Sequence, residues 1–231
     1  MDKTSAIRDL SEYFARIRRI EQEPLPPNIP ALLEAAAAEV PDQTALYFIS
    51  DDLELTYRAL LENVNRLANG LVALGIGPGS HVALMMANVA AWPITWLALA
   101  RIGAVCVPIN TRYTARELKF AIDDAEIGHF VVAEAYLPTL ESIPDGMKEL
   151  CVIVVGRPVA GHHAWDELLA GGADHFQPQK VPALDDLMNI QYTSGSTGLP
   201  KGCLLTQRYW LTCARSHGGV AGSDCTRLLA N

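Results

Sequence analysis

The stretch from Tyr192 to Gly202 constrains this chain more than any other part of its sequence. It reads Tyr-Thr-Ser-Gly-Ser-Thr-Gly-Leu-Pro-Lys-Gly and follows the apolar run Leu187, Met188 and Ile190. An apolar run of this length is typical of a buried strand, so we expect a strand that includes Tyr192 and leads into a glycine-rich loop.

The composition of this loop is that of a polyphosphate-binding site. Glycine allows close approach of a backbone to a ligand and adopts positive φ at little cost. Successive amides in such a loop can form a concave anion site. Hydroxyl groups add donors and the lysine adds a mobile positive charge. The candidate phosphate-binding residues are Thr193, Ser194, Gly195, Ser196, Thr197, Gly198, Lys201 and Gly202.

Two other interpretations of the loop fit its residues less well. The first is a solvated hairpin loop, since Gly, Ser, Thr and Pro all favour turns. A generic linker does not require a strand before it or Pro-Lys-Gly after it. The second is a Walker loop, which needs Ser or Thr directly after Gly-Lys. Here Pro200 precedes Lys201 and Gly202 follows it, so the Walker pattern is excluded.

Charge and cysteine content limit the class of protein. The chain has 231 residues and a formal charge of −8, with 18 basic and 26 acidic side chains. This balance argues against a general binder of nucleic acid or of anionic membranes. The five cysteines are scattered without a CxxC pair, which is typical of reduced thiols in a cytoplasmic protein. Residues 1–20 lack the apolar core of a signal peptide.

Residues 82–107 are the stretch that comes nearest to a membrane span, with Arg101 as their single charged residue. Asn88, Pro93 and Gly103 interrupt them. We therefore interpret this stretch as strand, helix and strand in a buried core, and expect no stable membrane insertion.

The first 29 residues are predicted to lie outside the main domain, which we expect to extend over residues 30–231. Residues 4–21 have apolar side chains at steps of three and four and predict an amphipathic helix. That helix either covers part of the core or lies on a membrane surface. The prolines of residues 24–30 predict a stiff connector.

Helices and strands alternate through the rest of the chain. Helices are predicted over residues 30–39, 56–74, 90–102 and 114–125, and strands over residues 44–49, 53–55, 82–86, 104–109, 129–133, 150–155 and 187–192. Such alternation predicts right-handed crossovers and an α/β fold with a mostly parallel sheet. Residues 156–186 are predicted to be irregular. His162 and His163 in that segment fit a solvated loop better than a metal site.

The loop residues 193–202 resemble the phosphate-loop signature of the adenylate-forming, AMP-binding superfamily. That superfamily includes acyl-CoA synthetases, adenylation domains of peptide synthetases and luciferases. Residues 55–60 (Leu-Thr-Tyr-Arg-Ala-Leu) and 100–110 are similar to its first and second core motifs, in the right order. The resemblance implies a mostly parallel sheet flanked by helices, as the first part of the family's large N-terminal domain.

Residues 107–112 (Val-Pro-Ile-Asn-Thr-Arg) are more similar to acyl-CoA synthetases, including carnitine and crotonobetaine ligases. Adenylation domains usually carry aspartate where this chain has Asn110. One departure from the family is Gln207, which follows Thr206 where a histidine is common. The sequence ends at Asn231, before the family's adenine, magnesium-glutamate and ribose sites and its C-terminal lid. The resemblance therefore implies an N-terminal fragment that is inactive alone.

By this resemblance the complete enzyme is an AMP-forming acid–thiol ligase that uses ATP, Mg²⁺ and coenzyme A. A small carboxylic acid would form an acyl-adenylate and then a thioester. Lys201 and Thr193 are the implied catalytic residues, and Thr193 is the one expected near the metal. Two alternatives stay open: an adenylation domain that loads a carrier protein with amino or aryl acids, and a non-catalytic nucleotide-binding remnant. A domain cut in this way would expose apolar surface, so a homo-oligomer is possible.

Overall fold

The structure is a computed structural model that describes residues 14, 15, 17, 18, 22–143, 150–193 and 200–221. The amphipathic helix predicted over residues 4–21 falls mostly outside these described residues. So do loop residues 194–199 and the final segment from residue 222 onward.

The elements follow the predicted alternation. The helices are α1 Ile29–Glu39, α2 Tyr57–Ala73, α3 Ala91–Ile102, α4 Ala115–Asp124, α5 Leu137–Glu141, α6 Trp165–Gly171 and α7 Gln207–Ala221, with a 3₁₀ turn at Glu134–Tyr136. The strands are β1 Thr44–Phe48, β2 Leu53–Thr56, β3 His81–Met85, β4 Val105–Pro108, β5 His129–Ala133, β6 Cys151–Val155, β7 His163–Ala164, β8 Leu187–Thr193 and β9 Lys201–Thr206.

Two sheets form within the described part of the chain. Strands β1 and β2 make an antiparallel hairpin, and the other strands make a seven-stranded sheet in the order β7-β6-β5-β3-β4-β8-β9. Every neighbouring pair in the larger sheet is parallel except β8 and β9, which pair antiparallel. The predicted mostly parallel sheet flanked by helices is confirmed.

Local signals account for several of the helix ends. The Thr56 side chain accepts the N–H of Ala59 at the start of α2, and Thr114 forms a full capping box with Glu117 at the start of α4. Such a cap contributes about 1 kcal/mol. Gly103 ends α3 with φ of 83°, a left-handed conformation that glycine adopts without a Cβ penalty.

The sheet is buried on both faces. Along β3, Val82 and Leu84 pack into a cluster with α2, α3 and α6, whereas Ala83 and Met85 pack into a second cluster with α4 and α5. A strand covered on both faces reads as a continuous apolar run. This explains the membrane-like sequence of residues 82–107. No helix in the described residues is long and apolar enough to cross a membrane.

The prediction that residues 156–186 are irregular is wrong in part, because they contain β7 and α6. Trp165, at the start of α6, is buried and its indole N–H donates to Thr95 Oγ1 at 2.9 Å. A Cβ added at Gly70 of α2 would lie 2.8 Å from the Leu168 carbonyl oxygen. A helix as short as α6 owes its stability to such packing rather than to its own propensity, so the local sequence does not reveal it.

Candidate functional site

Strands β8 and β9 form a hairpin that bounds the predicted phosphate-binding loop. Thr193 pairs directly with Lys201, and Tyr192 pairs with Gly202. Lys201, predicted as part of the loop, is the first residue of a strand. The structure therefore brings Thr193, Lys201 and Gly202 together at the tip of one hairpin. Five other predicted site residues lie outside the described residues: Ser194, Gly195, Ser196, Thr197 and Gly198.

The pairing places Thr193 and Lys201 on the same face of the hairpin. Residues directly opposite one another on antiparallel strands have Cβ atoms about 5 Å apart and project to one side. Both side chains are exposed. The Thr193 hydroxyl and the Lys201 ammonium group are thus neighbours where the two strands enter and leave the loop, and neither group is buried by packing.

Tyr192 projects to the opposite face, because side chains alternate along a strand. Its hydroxyl donates to Asp124 Oδ2 at 2.5 Å, and its ring meets Phe120 edge-on with the centroids 6.4 Å apart. Both partners lie on α4. Burial, the hydrogen bond to Asp124 and that carboxylate's charge all raise the pKa of Tyr192, so the phenol stays protonated as a donor.

Because Gly202 has no side chain, the Tyr192 ring can occupy the space across the hairpin. A Cβ added at Gly202 would lie 2.9 Å from Ile190 Cγ2 and 3.5 Å from Tyr192 Cζ. The glycine at this position of the motif is therefore required for close packing across the hairpin.

Asn189 links β8 to two helices on the face opposite to the Tyr192 side chain. It is 1% exposed, and its Oδ1 accepts the indole N–H groups of Trp96 on α3 and Trp210 on α7, both at 3.0 Å. The two indoles also meet edge-on, with their centroids 5.6 Å apart. The sequence alone does not mark any of these three residues as part of a site. Their only sequence signal is a polar residue within an apolar strand.

Gln207, the departure from the family pattern, has a structural role. It is buried, its Oε1 accepts the N–H of Ile29 at 2.9 Å, and its Nε2 donates to the Ala100 carbonyl at 3.4 Å. The side chain thereby joins α7 to both α1 and α3. Its position directly after β9 fixes how the strand that begins at Lys201 meets the rest of the domain.

The second motif ends in a turn at the carboxyl end of β4. The Ile109 N–H donates to the Leu84 carbonyl at 2.9 Å, and Asn110 Oδ1 accepts the Arg112 N–H at 3.0 Å. Asn110 thus directs the chain from β4 towards the capping box of α4. The carboxyl ends of parallel strands are where ligands bind in open α/β sheets.

No group of three or more metal-ligating His, Cys, Asp or Glu side chains occurs in the described part of the chain. His162 Nε2 lies 3.9 Å from Glu141 Oε1, and His163 belongs to β7. The prediction of a solvated loop is therefore wrong for His163, and the preference against a metal site stays a prediction. The assignment of Thr193 to a metal contact stays a prediction.

The fold and the site together define a class of protein. It is a mostly parallel α/β domain whose glycine-rich loop lies between the two strands of the β8–β9 hairpin. The model of the AMP-binding enzyme family matches residues 33–229, so the chain belongs to that family.

Relatives of known name support the same placement. The chain is 31% identical to the putative acyl-CoA synthetase YngI of Bacillus subtilis over 78% of its own length and 37% of that protein's. It is also 31% identical to the human mitochondrial medium-chain acyl-CoA ligase ACSF2, over 75% of its own length and 32% of the ligase's.

Among solved structures, the long-chain-fatty-acid-CoA ligase FadD1 of Archaeoglobus fulgidus superposes with a TM-score of 0.78 at 27% identity. The match covers 87% of this chain and 41% of that ligase. The chain therefore spans roughly a third of the length of the curated relatives it matches.

Proposed function

We propose that this chain is the first part of an AMP-forming acyl-CoA synthetase. The observation that carries the proposal is the register of the β8–β9 hairpin, which sets Thr193 opposite Lys201 at the two ends of the family's loop. The family membership and the acyl-CoA ligase names of the relatives support the same reaction class.

The donor set fits ATP and Mg²⁺. A lysine ammonium is a suitable point charge for a phosphate, and a threonine hydroxyl is the kind of hard oxygen ligand that Mg²⁺ accepts. We assign contact with the β- and γ-phosphates to Lys201 and to the amides and hydroxyls of residues 193–198, with Gly202 allowing close approach. When bound, Mg²⁺ would neutralise phosphate charge, and Thr193 is the residue here that would hold it.

The proposed reaction has two steps. An oxygen of the substrate carboxylate attacks the α-phosphorus of ATP, the bond to the bridging oxygen breaks, and pyrophosphate leaves with its bonding electrons. The thiol sulfur of coenzyme A then attacks the acyl carbonyl, the bond from that carbon to the phosphate oxygen breaks, AMP leaves, and the thiol proton is released. Charge accumulates on pyrophosphate in the first step, so donors at Thr193 and Lys201 stabilise the transition state more than the bound substrate.

Two alternatives remain as proposals. The first is a nucleotide-binding remnant without turnover. An adenylation domain that delivers amino or aryl acids to a carrier protein uses the same first step and is distinguished by the acceptor.

The division into a connector of residues 1–29 and a partial domain of residues 30–231 is likewise a proposal, as is a cytoplasmic location.

Self-association is also proposed. Large apolar side chains are exposed on the β1–β2 hairpin and on β9, namely Tyr47, Ile49, Leu53 and Leu204. Exposed apolar side chains can mediate association when they lie uncovered in water. Light scattering should detect oligomers, and a strictly monomeric chain at high concentration would contradict this part of the proposal.

Calorimetric titration with MgATP tests the nucleotide site. We expect the wild-type chain to bind, and Lys201→Ala to bind about tenfold or more weakly, since it removes a charge-assisted contact. Lys180→Ala is the matched control, because Lys180 is an exposed lysine that pairs with Asp186 away from the hairpin tip. Equal affinity of the two variants, or no binding by folded wild-type protein, would overturn the proposal.

Release of AMP tests whether this part of the chain is enough for the reaction. With a carboxylate panel and coenzyme A present, we expect no AMP release by the 231-residue chain alone. Release that requires both the acid and coenzyme A would show that this part suffices for the reaction. Release that requires the acid and a carrier protein would instead identify an adenylation domain.

A further inference from the structure

We propose that Tyr192 and Asp124 form a positioning pair that sets where the tip of the β8–β9 hairpin lies relative to helix α4. The importance of this pair for ligand binding rests on the proposed nucleotide site at Thr193 and Lys201. Neither residue touches the phosphates in this proposal; both act through the backbone of Thr193.

The strand pairing of the sheet shows why the tip of the hairpin needs a contact with α4. Strand β8 pairs with β4 at Cys106 and Asn189, and the pairing with β9 continues on to Tyr192 and Thr193. The tip of the hairpin thus extends beyond the described pairing with the parallel sheet. A side chain that reaches from the tip to α4 supplies the missing constraint.

The hydrogen bond from Tyr192 to Asp124 is suited to this role. Its oxygen–oxygen distance of 2.5 Å is that of a charge-assisted O–H···O⁻ bond, which is about twice as strong as a neutral one. It joins positions 68 residues apart in the chain. Asp124 is the last residue of α4, so the bond ties the hairpin to a helix that a capping box fixes at its other end.

Packing limits the directions in which the Tyr192 ring can point. The ring is 8% exposed, with Phe120 edge-on to it and Gly202 directly across the hairpin. The hydroxyl is therefore presented to Asp124 by a ring that is already held in place. Because Tyr192 and Thr193 are adjacent in a strand, fixing the Tyr192 side chain on one face fixes the direction of Thr193 on the other.

Tyr192→Phe is the central variant, because it keeps the ring and removes the hydroxyl. Tyr47→Phe is its matched control. Tyr47 also donates to an aspartate, Asp52, at 2.6 Å, but in the separate β1–β2 hairpin. Asp124→Ala removes the acceptor, and the double variant shows whether the two residues act as one unit.

Two readouts are needed. The first is amide hydrogen exchange in the ligand-free chain, in peptides that cover residues 187–206. We expect Tyr192→Phe and Asp124→Ala each to accelerate exchange about three- to tenfold there, with the double variant no faster than either single one. Tyr47→Phe should leave these peptides unchanged.

The second readout is affinity for MgATP, in which we expect Tyr192→Phe to show a dissociation constant about three- to tenfold higher than the wild-type chain. Unchanged exchange in Tyr192→Phe would overturn the positioning pair. So would additive effects in the double variant, or faster exchange spread over the whole chain. If the wild-type chain does not bind MgATP, the proposed function fails, and the exchange measurement still decides whether the pair positions the hairpin.

Discussion

The side chain of Gln207 accepts the backbone N–H of Ile29 at 2.9 Å, across 178 positions of sequence. The bond joins the first turn of α1 to the first turn of α7, directly after β9. The Ala100 carbonyl accepts from the same side chain, so one buried amide connects three helices. This arrangement explains what a glutamine does at a position where the family commonly has histidine.

Replacement of Gln207 by alanine should destabilise the chain. The substitution leaves the Ile29 N–H and the Ala100 carbonyl without this partner in a buried place, which costs about 1–3 kcal/mol of unfolding free energy for each unsatisfied group. Urea denaturation followed by circular dichroism measures the loss. A change below experimental error would show that the bonds contribute nothing.

Gly202→Ala should destabilise the β8–β9 hairpin, because the new Cβ would stand 2.9 Å from Ile190 Cγ2. Overpacking of this kind costs about 1–3 kcal/mol. Gly77→Ala is the control, since a Cβ there meets nothing within 4 Å. Thermal unfolding of both variants provides the comparison, and equal midpoints would contradict the packing argument.

Thiol labelling should distinguish the cysteines. Full burial raises the pKa of Cys106, and partial burial raises the pKa of Cys151, so little reactive thiolate forms at either residue. Cys203 is exposed on β9. Iodoacetamide at mildly alkaline pH, followed by peptide mapping, should modify Cys203 before Cys151, and Cys106 only on unfolding. Early loss of the Cys106 peptide would show that the core opens.

The capping box of α4 should contribute to stability in a pH-dependent way. Hydrogen bonds from the backbone and side chain of Thr114 lower the pKa of Glu117 in the folded chain. The folded state therefore binds this proton more weakly than the unfolded state. The stabilisation is present above the ordinary glutamate pKa and is lost as pH falls through the lower folded value.

Glu117→Gln tests this dependence. The unfolding midpoint of the variant should lie below that of the wild-type chain at neutral pH, and the difference should shrink in strongly acidic buffer. A difference that is the same at both pH values would mean that the charge of Glu117 has no part in the cap.

Local chemistry accounts for what could be predicted from the sequence. Thr56 and Thr114 cap helices with residues three positions away, and Gly103 ends a helix through its own φ. Each of these signals involves only residues within about one helical turn of each other, so the local sequence is enough to recognise it. The parallel sheet likewise follows from the alternation of strands and helices, which permits few topologies.

The rest depends on contacts between distant segments. Helix α6 is held by Gly70 and Thr95, and β8 is held by indoles from α3 and α7. Neither contact leaves a periodic pattern near the residues it stabilises. The loop motif indicated the site, but the antiparallel partner β9, which pairs Lys201 with Thr193, became evident only in the structure.

The hairpin register also restricts how β9 can shift against β8. Sliding β9 by one residue so that Lys201 stood opposite Tyr192 would move the ammonium group to the face of the Tyr192 ring and away from Thr193. A single inserted or deleted residue must therefore be absorbed as a bulge within the loop itself. Only a slide of two residues would return Lys201 to the face of Thr193, so the paired side chains fix the register of the strands and not the number of residues in the loop.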